Sequence, residues 1–291
     1  MNEILRIEKL SKSFGAKTVL KNLQMTIEKG KVYGLLGRNG EGKTTLIRMI
    51  MGIIPADSGE IFYKEKKISF RDASYKKEIG YIPEDPFFYD WMTIKELLDF
   101  NASFYPAWES SKAEQYLKRF SLDQKMKVKN LSRGMRLKLE LTVALAASPE
   151  LLVLDDPTSG LDVPTRQDFL KNIIEELLEG GTTILFSTHL VHELERIVEH
   201  LYILHGGSLV LDEDYEGVKE LTRRVRLAFQ DTCPEAFDLD GVLSVERSRN
   251  RMEMVVFPWN EEMEAKLKRF NPLRMEVEAL TLEEIFSSFV S

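Results

Sequence analysis

Apolar residues of this chain fall into short runs that are separated by segments of helical length. The runs at residues 32–36, 151–154 and 183–186 are apolar almost without interruption, which is typical of parallel strands buried on both faces. Strand-like runs alternate with helical segments from about residue 3 to residue 221. This alternation predicts an α/β fold in which helices cover a largely parallel sheet.

Shorter strand-like runs surround the first buried strand. Residues 4–8 alternate between apolar and polar side chains like an edge strand, and residues 19–27 and 59–63 add two further runs. We therefore expect an antiparallel β flank beside the main sheet. Residues 79–82 form another short apolar run, which ends at Pro83 and predicts a buried strand.

The pattern becomes helical between residues 93 and 148, where apolar residues such as Ile94, Leu97 and Leu98 recur at helical spacing. We expect a helical subdomain over about residues 93–148. The pattern changes again after residue 221, and residues 222–291 predict a small α+β domain. Its strands are expected at 225–229, 243–246, 252–257 and 273–277, and its helices at 261–270 and from Leu282.

Composition and charge narrow the class of protein. Of the 291 residues 43% are hydrophobic and 30% are charged, and no apolar run approaches the roughly 18 residues of a membrane-spanning helix. The first residues lack the features of a secretion signal, and the single cysteine, Cys233, cannot form an internal disulfide, so we expect a cytoplasmic protein. A formal net charge of -7 argues against nucleic-acid binding through overall basicity.

A phosphate-binding loop follows the first buried strand. The chain reads GRNGEGKTT from residue 37 to residue 45, which fits the pattern G-x-x-x-x-G-K-[ST]. Its glycines let backbone N–H groups turn toward phosphate oxygens, the next helix adds its positive end, and a lysine adds a charge. The predicted nucleotide-binding residues are Gly37, Arg38, Asn39, Gly40, Glu41, Gly42, Lys43, Thr44 and Thr45, of which Thr44 also holds Mg2+. The alternative is a plain Gly-rich turn.

Two aspartates after the run at 151–154 supply the second half of a nucleotide site. Asp155 ends an apolar strand, so its carboxylate should lie beside the phosphate loop, where it can hold Mg2+. Asp156 would point the opposite way along the strand and polarise a water for attack on the γ-phosphate. The alternative is that either aspartate only starts the turn at residues 157–160.

With LSRGM at residues 131–135 ahead of the acidic strand, the chain resembles the nucleotide-binding subunits of ATP-binding-cassette (ABC) transporters over about residues 3–220. Ser132 and Gly134 match the family signature LSGGQ, whereas Arg133 and Met135 depart from it. The resemblance implies a P-loop NTPase cassette and a head-to-tail dimer, in which Ser132 and Gly134 close on ATP bound to the other subunit. From the residues alone, Ser132 can equally be the N-cap of the next helix.

Other segments lie where the family has functional ones. The resemblance implies that His189 contacts the γ-phosphate, that Phe14 stacks on adenine and that residues 159–162 touch the partner subunit. The alternative for Phe14 is a core aromatic, and that for residues 159–162 is a helix N-cap. Four histidines are close in sequence, so a metal site at His189 and His192 is a further alternative, although no acidic or cysteine ligand set accompanies them.

Two positions depart from the family's usual residues. The family usually has glutamate where Asp156 stands and glutamine where Glu84 stands, so one side chain is shorter and the other adds a negative charge. Glu84 can still offer an oxygen to Mg2+. We hypothesise that Glu84 and Asp156 together supply the carboxylates that one glutamate normally supplies, and we expect slow hydrolysis. The alternative is that Asp156 remains the base by itself.

An aromatic cluster at residues 86–92 directly follows Glu84. In the family this surface receives a short helix of the membrane subunit, and aromatic side chains make good anchors for such a helix. The candidate contacts are Phe87, Phe88, Tyr89 and Trp91. The alternative is that these residues form the core of the helical subdomain with the aromatic residues of positions 100–108.

The resemblance implies a transport-coupled ATPase with ATP and Mg2+ as cofactors. Residues 1–221 would form the nucleotide-binding domain and residues 222–291 an accessory domain, whose end at 280–286 resembles the exporter branch, with Thr281 capping the last helix. The expected partners are a second nucleotide-binding subunit, identical or related, and a separate integral membrane permease that holds the chain at the inner face of the cell membrane.

Two other functions stay open from the sequence. The first is a soluble ABC protein that acts on nucleic acid or ribosomes, although tandem cassettes and long heptad repeats are not seen and no nucleic-acid partner is expected. The second is a regulatory switch that binds ATP with little turnover.

Overall fold

The computed structural model describes residues 2–170, 181–195, 197–234 and 239–291. Its strands form one six-stranded sheet and two four-stranded sheets. In chain order the strands are β1 (Glu3–Phe14), β2 (Lys17–Glu28), β3 (Val32–Leu36), β4 (Ser58–Tyr63), β5 (Lys66–Ile68), β6 (Ile79–Ile82), β7 (Leu151–Asp155), β8 (Thr183–Thr188), β9 (His200–His205), β10 (Ser208–Asp214), β11 (Arg223–Ala228), β12 (Val242–Ser248), β13 (Arg251–Val256) and β14 (Arg274–Ala279). The helices are α1 (Lys43–Ile50), α2 (Ile94–Ala102), α3 (Ser110–Arg119), α4 (Arg133–Ala146), α5 (Val163–Phe169), α6 (Tyr215–Leu221), α7 (Glu261–Lys268) and α8 (Leu282–Phe289).

The six-stranded sheet is the centre of the fold. Its strand order is β10-β9-β3-β8-β7-β6, and every pair is parallel except β10 with β9. All residues of β3, β7 and β8 are buried, which confirms the prediction from their apolar runs. Alternate residues enter two different cores: Leu152 and Leu154 lie in one, and Leu151 and Val153 lie in the other. The carboxyl ends of β3, β6, β7 and β8 therefore meet at one edge.

The antiparallel flank has the strand order β2-β1-β4-β5. The expectation of an edge strand at residues 4–8 was wrong, because β1 pairs with β2 on one side and with β4 on the other. Alternation of apolar and polar residues indicates that one face of a strand is buried, and Ile7 and Leu10 of β1 are indeed buried. It does not indicate whether the strand lies at the edge or in the interior of its sheet.

Helices α2, α3 and α4 lie within the predicted helical region and confirm its helical character. A capping box of Thr93 and Glu96 starts α2, and Ser132 caps α4 by accepting a hydrogen bond from the backbone N–H of Met135. Helix α3 packs against α4. None of the described helices combines the length and apolar character that a membrane crossing requires.

The end of the chain forms a sheet of order β12-β13-β11-β14, which is antiparallel throughout. Helix α7 contributes Met263 and Leu267 to the apolar core of this sheet. Helix α8, which Thr281 caps as expected, packs against β12 of this sheet and also against β9 and a short 3-10 turn, Val191–Glu193. The predicted elements of residues 222–291 are all present, and a domain boundary at residue 221 stays a prediction.

The docking of α8 predicts a loss of stability on truncation of one side chain. Ile285→Ala should lower the free energy of unfolding by about 2–4 kcal/mol, because Ile285 is fully buried in the core that also contains Val191 and Leu194. Urea unfolding of the whole chain, followed by circular dichroism, measures this change. Leu273→Ala is the control, since Leu273 is 69% exposed and its truncation should change stability by less than about 0.5 kcal/mol. Equal effects of the two substitutions would contradict the docking of α8.

Candidate functional site

The phosphate-binding loop joins the end of β3 to the start of α1, at the edge of the main sheet where the parallel strands end. Gly42 is the N-cap of α1 and has a φ of 110°, a conformation that side-chain-bearing residues rarely adopt. A Cβ at Gly37 would lie 2.9 Å from the carbonyl oxygen of Leu204 on β9. Gly42 is therefore required by its backbone conformation, and Gly37 by its close packing against β9.

Lys43 lies buried beneath the loop. Its Nζ donates hydrogen bonds to the carbonyl oxygens of Gly37 at 2.6 Å and Arg38 at 3.2 Å. Burial lowers the pKa of Lys43, because the charged ammonium loses solvation. Four nearby carboxylates oppose this shift and favour the charged form: Asp156, Asp155, Glu84 and Glu41. The ammonium is thus the positive centre of an acidic site.

Asp155 ends β7 and is 1% exposed. Its Oδ1 accepts hydrogen bonds from Thr44 Oγ1 at 3.2 Å and from Ser187 Oγ at 2.8 Å. Burial raises the pKa of Asp155, and the two hydroxyl donors oppose this rise. Sequence reasoning missed Ser187, whose position follows from the pairing of Asp155 with Ser187 across β7 and β8.

The second oxygen of Asp155 fits a bound cation. Asp155 Oδ2 is buried and has no hydrogen-bond partner among the described residues. The hydroxyl of Thr44 lies beside the same carboxylate. A hydroxyl and a carboxylate are hard oxygen donors of the kind Mg2+ prefers, and an unpaired buried carboxylate oxygen is costly unless a cation or a water meets it.

Asp156 lies beyond the end of β7. Its backbone has a φ of 46°, so the direction of its side chain does not follow the alternation of a strand. We expected Asp156 to point away from Asp155 because of that alternation, and this reason was wrong. Asp156 is buried, and its Oδ2 lies 2.7 Å from Nδ1 of His189. Its Oδ1 is buried without a partner in the described part of the chain. The structure therefore brings Asp156 and His189 into direct contact.

Glu84 is exposed and lies on the loop that follows β6. No hydrogen bond between described residues joins it to Thr44 or Asp155. Partial burial raises the pKa of Glu84, and the charges of Asp156, Asp155 and Asp85 add to the rise. Its carboxylate is thus electrostatically part of the acidic site without a direct contact.

The signature residues lie apart from the phosphate loop. Ser132 is exposed at the start of α4, and no hydrogen bond between described residues joins it or Gly134 to residues 37–45. A Cβ at Gly134 would lie 3.0 Å from the Thr165 side chain, so close packing of α4 against α5 explains this glycine. The guanidinium group of Arg133 lies against Gly160 in the turn after β7.

Two other predicted nucleotide-binding residues have informative surroundings. Phe14 is 53% exposed at the end of β1, so the alternative of a core aromatic is wrong, and stacking on adenine stays a prediction. The Glu41 side chain turns to the β9–β10 connection, where His205 Nδ1 lies 3.1 Å from it and the backbone N–H of Gly206 donates to it at 2.8 Å. Glu41 thus links the phosphate loop to the β9–β10 connection. The sequence motif of the loop did not indicate this contact.

The histidines have separate environments. His200 lies beside Asp212 and Asp214, whereas His189 and His205 contact the carboxylates described above. No group of three or more metal-binding side chains was found in residues 2–170, 181–195, 197–234 and 239–291. The alternative of a metal site at His189 and His192 gains no support from this arrangement.

The aromatic cluster after Glu84 is largely on the surface. Phe87 is 83% exposed and Trp91 is 64% exposed, and Tyr89 is exposed between them. Phe88 is half-buried and packs against the main core. Phe100 is also exposed and contacts Tyr89 edge to face. The alternative of a buried subdomain core therefore holds for Phe88 and not for the other three candidates.

A cavity of about 280 Å³ lies between the loop carrying Glu84 and the face of α4 that carries Glu140. Glu140 is 6% exposed, and its Oε1 has no hydrogen-bond partner in the described structure. Burial raises the pKa of Glu140 to about 8, although the charges of Arg133 and Arg136 oppose the rise. Glu140 is therefore largely protonated at neutral pH.

Comparisons with known proteins point to one family. A family model described as "ABC transporter" matches residues 20–159. The chain is 32% identical to the ABC transporter ATP-binding protein YtrB of Bacillus subtilis, over 97% of each chain. It is 36% identical to the bacitracin transport ATP-binding protein BcrA of Bacillus licheniformis, over 79% of this chain and 76% of that protein. A solved ATP-binding subunit of an ABC transporter superposes with a TM-score of 0.66 at 27% identity, over 74% of this chain and 92% of the other.

The raised pKa of Glu140 predicts a pH-dependent loss of stability. Between its ordinary value of 4.5 and about 8, the folded chain keeps a proton that the unfolded chain releases, so this group lowers stability as pH rises through that window. The glutamine of Glu140→Gln stays neutral at every pH. The difference in free energy of unfolding between this variant and the original chain should therefore rise by more than about 2 kcal/mol from pH 5 to pH 8.

Urea unfolding at the two pH values measures this gain. Glu114→Gln, on the exposed face of α3, is the control and should show no such gain. A Glu140→Gln effect of the same size at both pH values would be evidence against a neutral buried carboxyl.

Proposed function

This chain belongs to the ABC transporter family, as an ATP-binding subunit and ATPase of a membrane transporter, and we propose that the residues around its phosphate loop carry out the hydrolysis. The observation that carries this proposal is the meeting of three segments at one sheet edge. There the Lys43 ammonium and the Thr44 hydroxyl lie beside two buried aspartates, one of which contacts His189.

Nucleotide binding would rest on the loop and on α1. The backbone N–H groups at the start of α1 would face the phosphates, and Lys43 would neutralise part of their charge. The Thr44 hydroxyl and the unpartnered Oδ2 of Asp155 would hold Mg2+. When bound, Mg2+ would supply neutralisation of the charge on the phosphates. Ser187 holds the other oxygen of Asp155 and so keeps its carboxylate in place.

Water activation would rest on Asp156. Its unpartnered Oδ1 is able to accept a hydrogen bond from the attacking water, while Oδ2 is held by His189. The water oxygen forms a bond to the γ-phosphorus, the bond from the γ-phosphorus to the bridging oxygen breaks, and Asp156 receives the proton from the water. His189 stabilises the transferred phosphoryl group. Glu84 adds a further carboxylate near Asp156.

Members of this family work with a second nucleotide-binding subunit and a membrane permease. We propose that the exposed Ser132 and Gly134 of a second subunit complete each ATP site, because the chain's own signature residues lie apart from its loop. The partner in this pair would be a second copy or a related chain. The positive end of α4 then faces the γ-phosphate of the neighbouring subunit.

The exposed aromatic surface of Phe87, Tyr89 and Trp91 suits contact with the permease. Large exposed aromatic side chains close to Glu84 would anchor a short helix of that partner. Movement of the helix would then be coupled to the acidic site through the loop that carries Glu84. Partly buried Phe88 supports this surface from below. This contact would hold the chain at the cytoplasmic face of the cell membrane.

Export is the direction of transport that we propose. Support comes from the similarity to a bacitracin transport protein and from the C-terminal segment with its capped last helix. The transported compound would be selected by the permease, because the residues proposed here to act bind and hydrolyse a nucleotide.

The assignment of the reaction is tested by ATP hydrolysis of the purified chain. Lys43→Ala should abolish nucleotide binding and turnover together, whereas Asp156→Asn should leave ATP binding intact and lower kcat by about 100-fold or more. Glu84→Gln should lower kcat by several-fold if the two carboxylates share the work. Turnover that survives Asp156→Asn would remove Asp156 from its role, and ATP binding without turnover in the original chain would favour a regulatory switch.

The proposed permease contact is tested separately. Replacing Phe87 and Trp91 together by serine should abolish binding of the chain to membranes that contain its permease, and should leave ATP hydrolysis of the free chain unchanged, because both side chains are exposed. Ile53→Ser, at an exposed site after α1, is the control. Unimpaired binding of the double variant would rule out this surface.

A further inference from the structure

We infer that Glu193 is a positioning residue of the hydrolysis site, and that it fixes the segment carrying Asp156 relative to the segment carrying His189. Glu193 ends the short 3-10 turn that follows His189 and is only 1% exposed. Its carboxylate does not touch Lys43, Thr44 or Asp155 through any hydrogen bond between described residues. The inference rests on the roles proposed above for Asp156 and His189.

Each oxygen of Glu193 binds a different segment of the site. Oε1 accepts a hydrogen bond from Thr158 Oγ1 at 2.6 Å, and Oε2 accepts one from Thr188 Oγ1 at 2.7 Å. Thr158 lies two residues after Asp156, and Thr188 immediately precedes His189. Both threonines are completely buried. One carboxylate therefore joins the turn after β7 to the end of β8.

Arg166 completes this buried arrangement from α5. Its Nε lies 3.2 Å from Glu193 Oε1, and its Nη2 donates to the carbonyl oxygen of Leu161. The guanidinium thus pairs with Glu193 and also holds the turn that contains Thr158. A buried carboxylate is costly unless charge and hydrogen bonds compensate for its lost solvation, and here one cation and two hydroxyl groups do so.

The arrangement matters for the reaction because the contact between Asp156 and His189 is short and depends on two separate segments. Their side chains meet at 2.7 Å. Asp156 lies outside β7 with a φ of 46°; its backbone N–H donates to the carbonyl oxygen of Ser187 on β8 at 3.0 Å, and its carbonyl oxygen accepts a hydrogen bond from the N–H of Ser159 in the following turn at 3.1 Å. Its orientation therefore depends on both the end of β8 and the turn that follows it. Displacement of a catalytic group by about 1 Å can lower a rate by about 100-fold.

Isosteric substitutions of the two threonines test this inference. Thr158→Val and Thr188→Val remove one hydroxyl each and keep the shape of the side chain, whereas Thr158→Ser and Thr188→Ser keep the hydroxyl and are the matched controls. Each valine variant should lower kcat for ATP by about 10-fold while the KM changes by less than about twofold, because the phosphate loop is untouched. The serine variants should retain at least about half of the kcat.

Glu193→Gln tests the carboxylate itself. It removes the charge that pairs with Arg166 and reverses one hydrogen bond, and we expect kcat to fall by about 10- to 100-fold with ATP binding unchanged. In the Asp156→Asn background, the same substitution should cause no further fall in single-turnover rate, because Glu193 acts through Asp156 and His189.

The outcomes separate this inference from the proposed function. If Asp156→Asn leaves kcat unchanged, the proposed role of Asp156 fails. If Asp156→Asn lowers kcat and the valine variants have normal kcat with lower thermal stability, Glu193 has a structural role alone and the inference is overturned. The same conclusion follows if Glu193→Gln lowers the rate equally in both backgrounds. Should Glu193→Gln fail to fold, the valine and serine pairs decide the question.

Discussion

Two adjacent carboxylates, Asp155 and Asp156, are buried at the end of one parallel strand, and the rest of the site depends on compensating for that burial. Each aspartate loses solvation, and each obtains partners from other segments: Thr44 and Ser187 for the first, His189 for the second. The buried ammonium of Lys43 adds the positive charge. The parallel sheet makes this possible, since it brings the carboxyl ends of β3, β7 and β8 to one edge.

The compensation is incomplete, because two buried carboxylate oxygens lack a hydrogen-bond partner in the described part of the chain. One oxygen of each aspartate remains unpartnered among the described residues. These are the oxygens that a cation and a water would need. Two further carboxyl groups lie close by: that of Glu84 and, across a cavity, the neutral carboxyl of Glu140 on α4.

Much of this molecule could be predicted from its sequence. The unbroken apolar runs gave the buried parallel strands, because parallel strands with both faces covered leave no polar positions. The phosphate-loop motif located α1, and Asp155 was expected beside it. What local patterns could not predict depends on pairing between distant segments: the central position of β1, the hydrogen bond from Ser187, and the attachment of Glu41 to the β9–β10 connection. The left-handed backbone of Asp156 also has no sequence signal, since aspartate adopts it only when its surroundings require it.

Helix α8 packs against the 3-10 turn Val191–Glu193, although about 90 residues of sequence separate them. A ribosome releases the chain from its N-terminus, so the phosphate loop, both aspartates and His189 all emerge before this helix does. The turn beside His189 can reach its final packing only when α8 has been made. Formation of this edge of the sheet is therefore coupled to the synthesis of α8, and a chain terminated before α8 would keep its phosphate loop while leaving the apolar side of that turn uncovered.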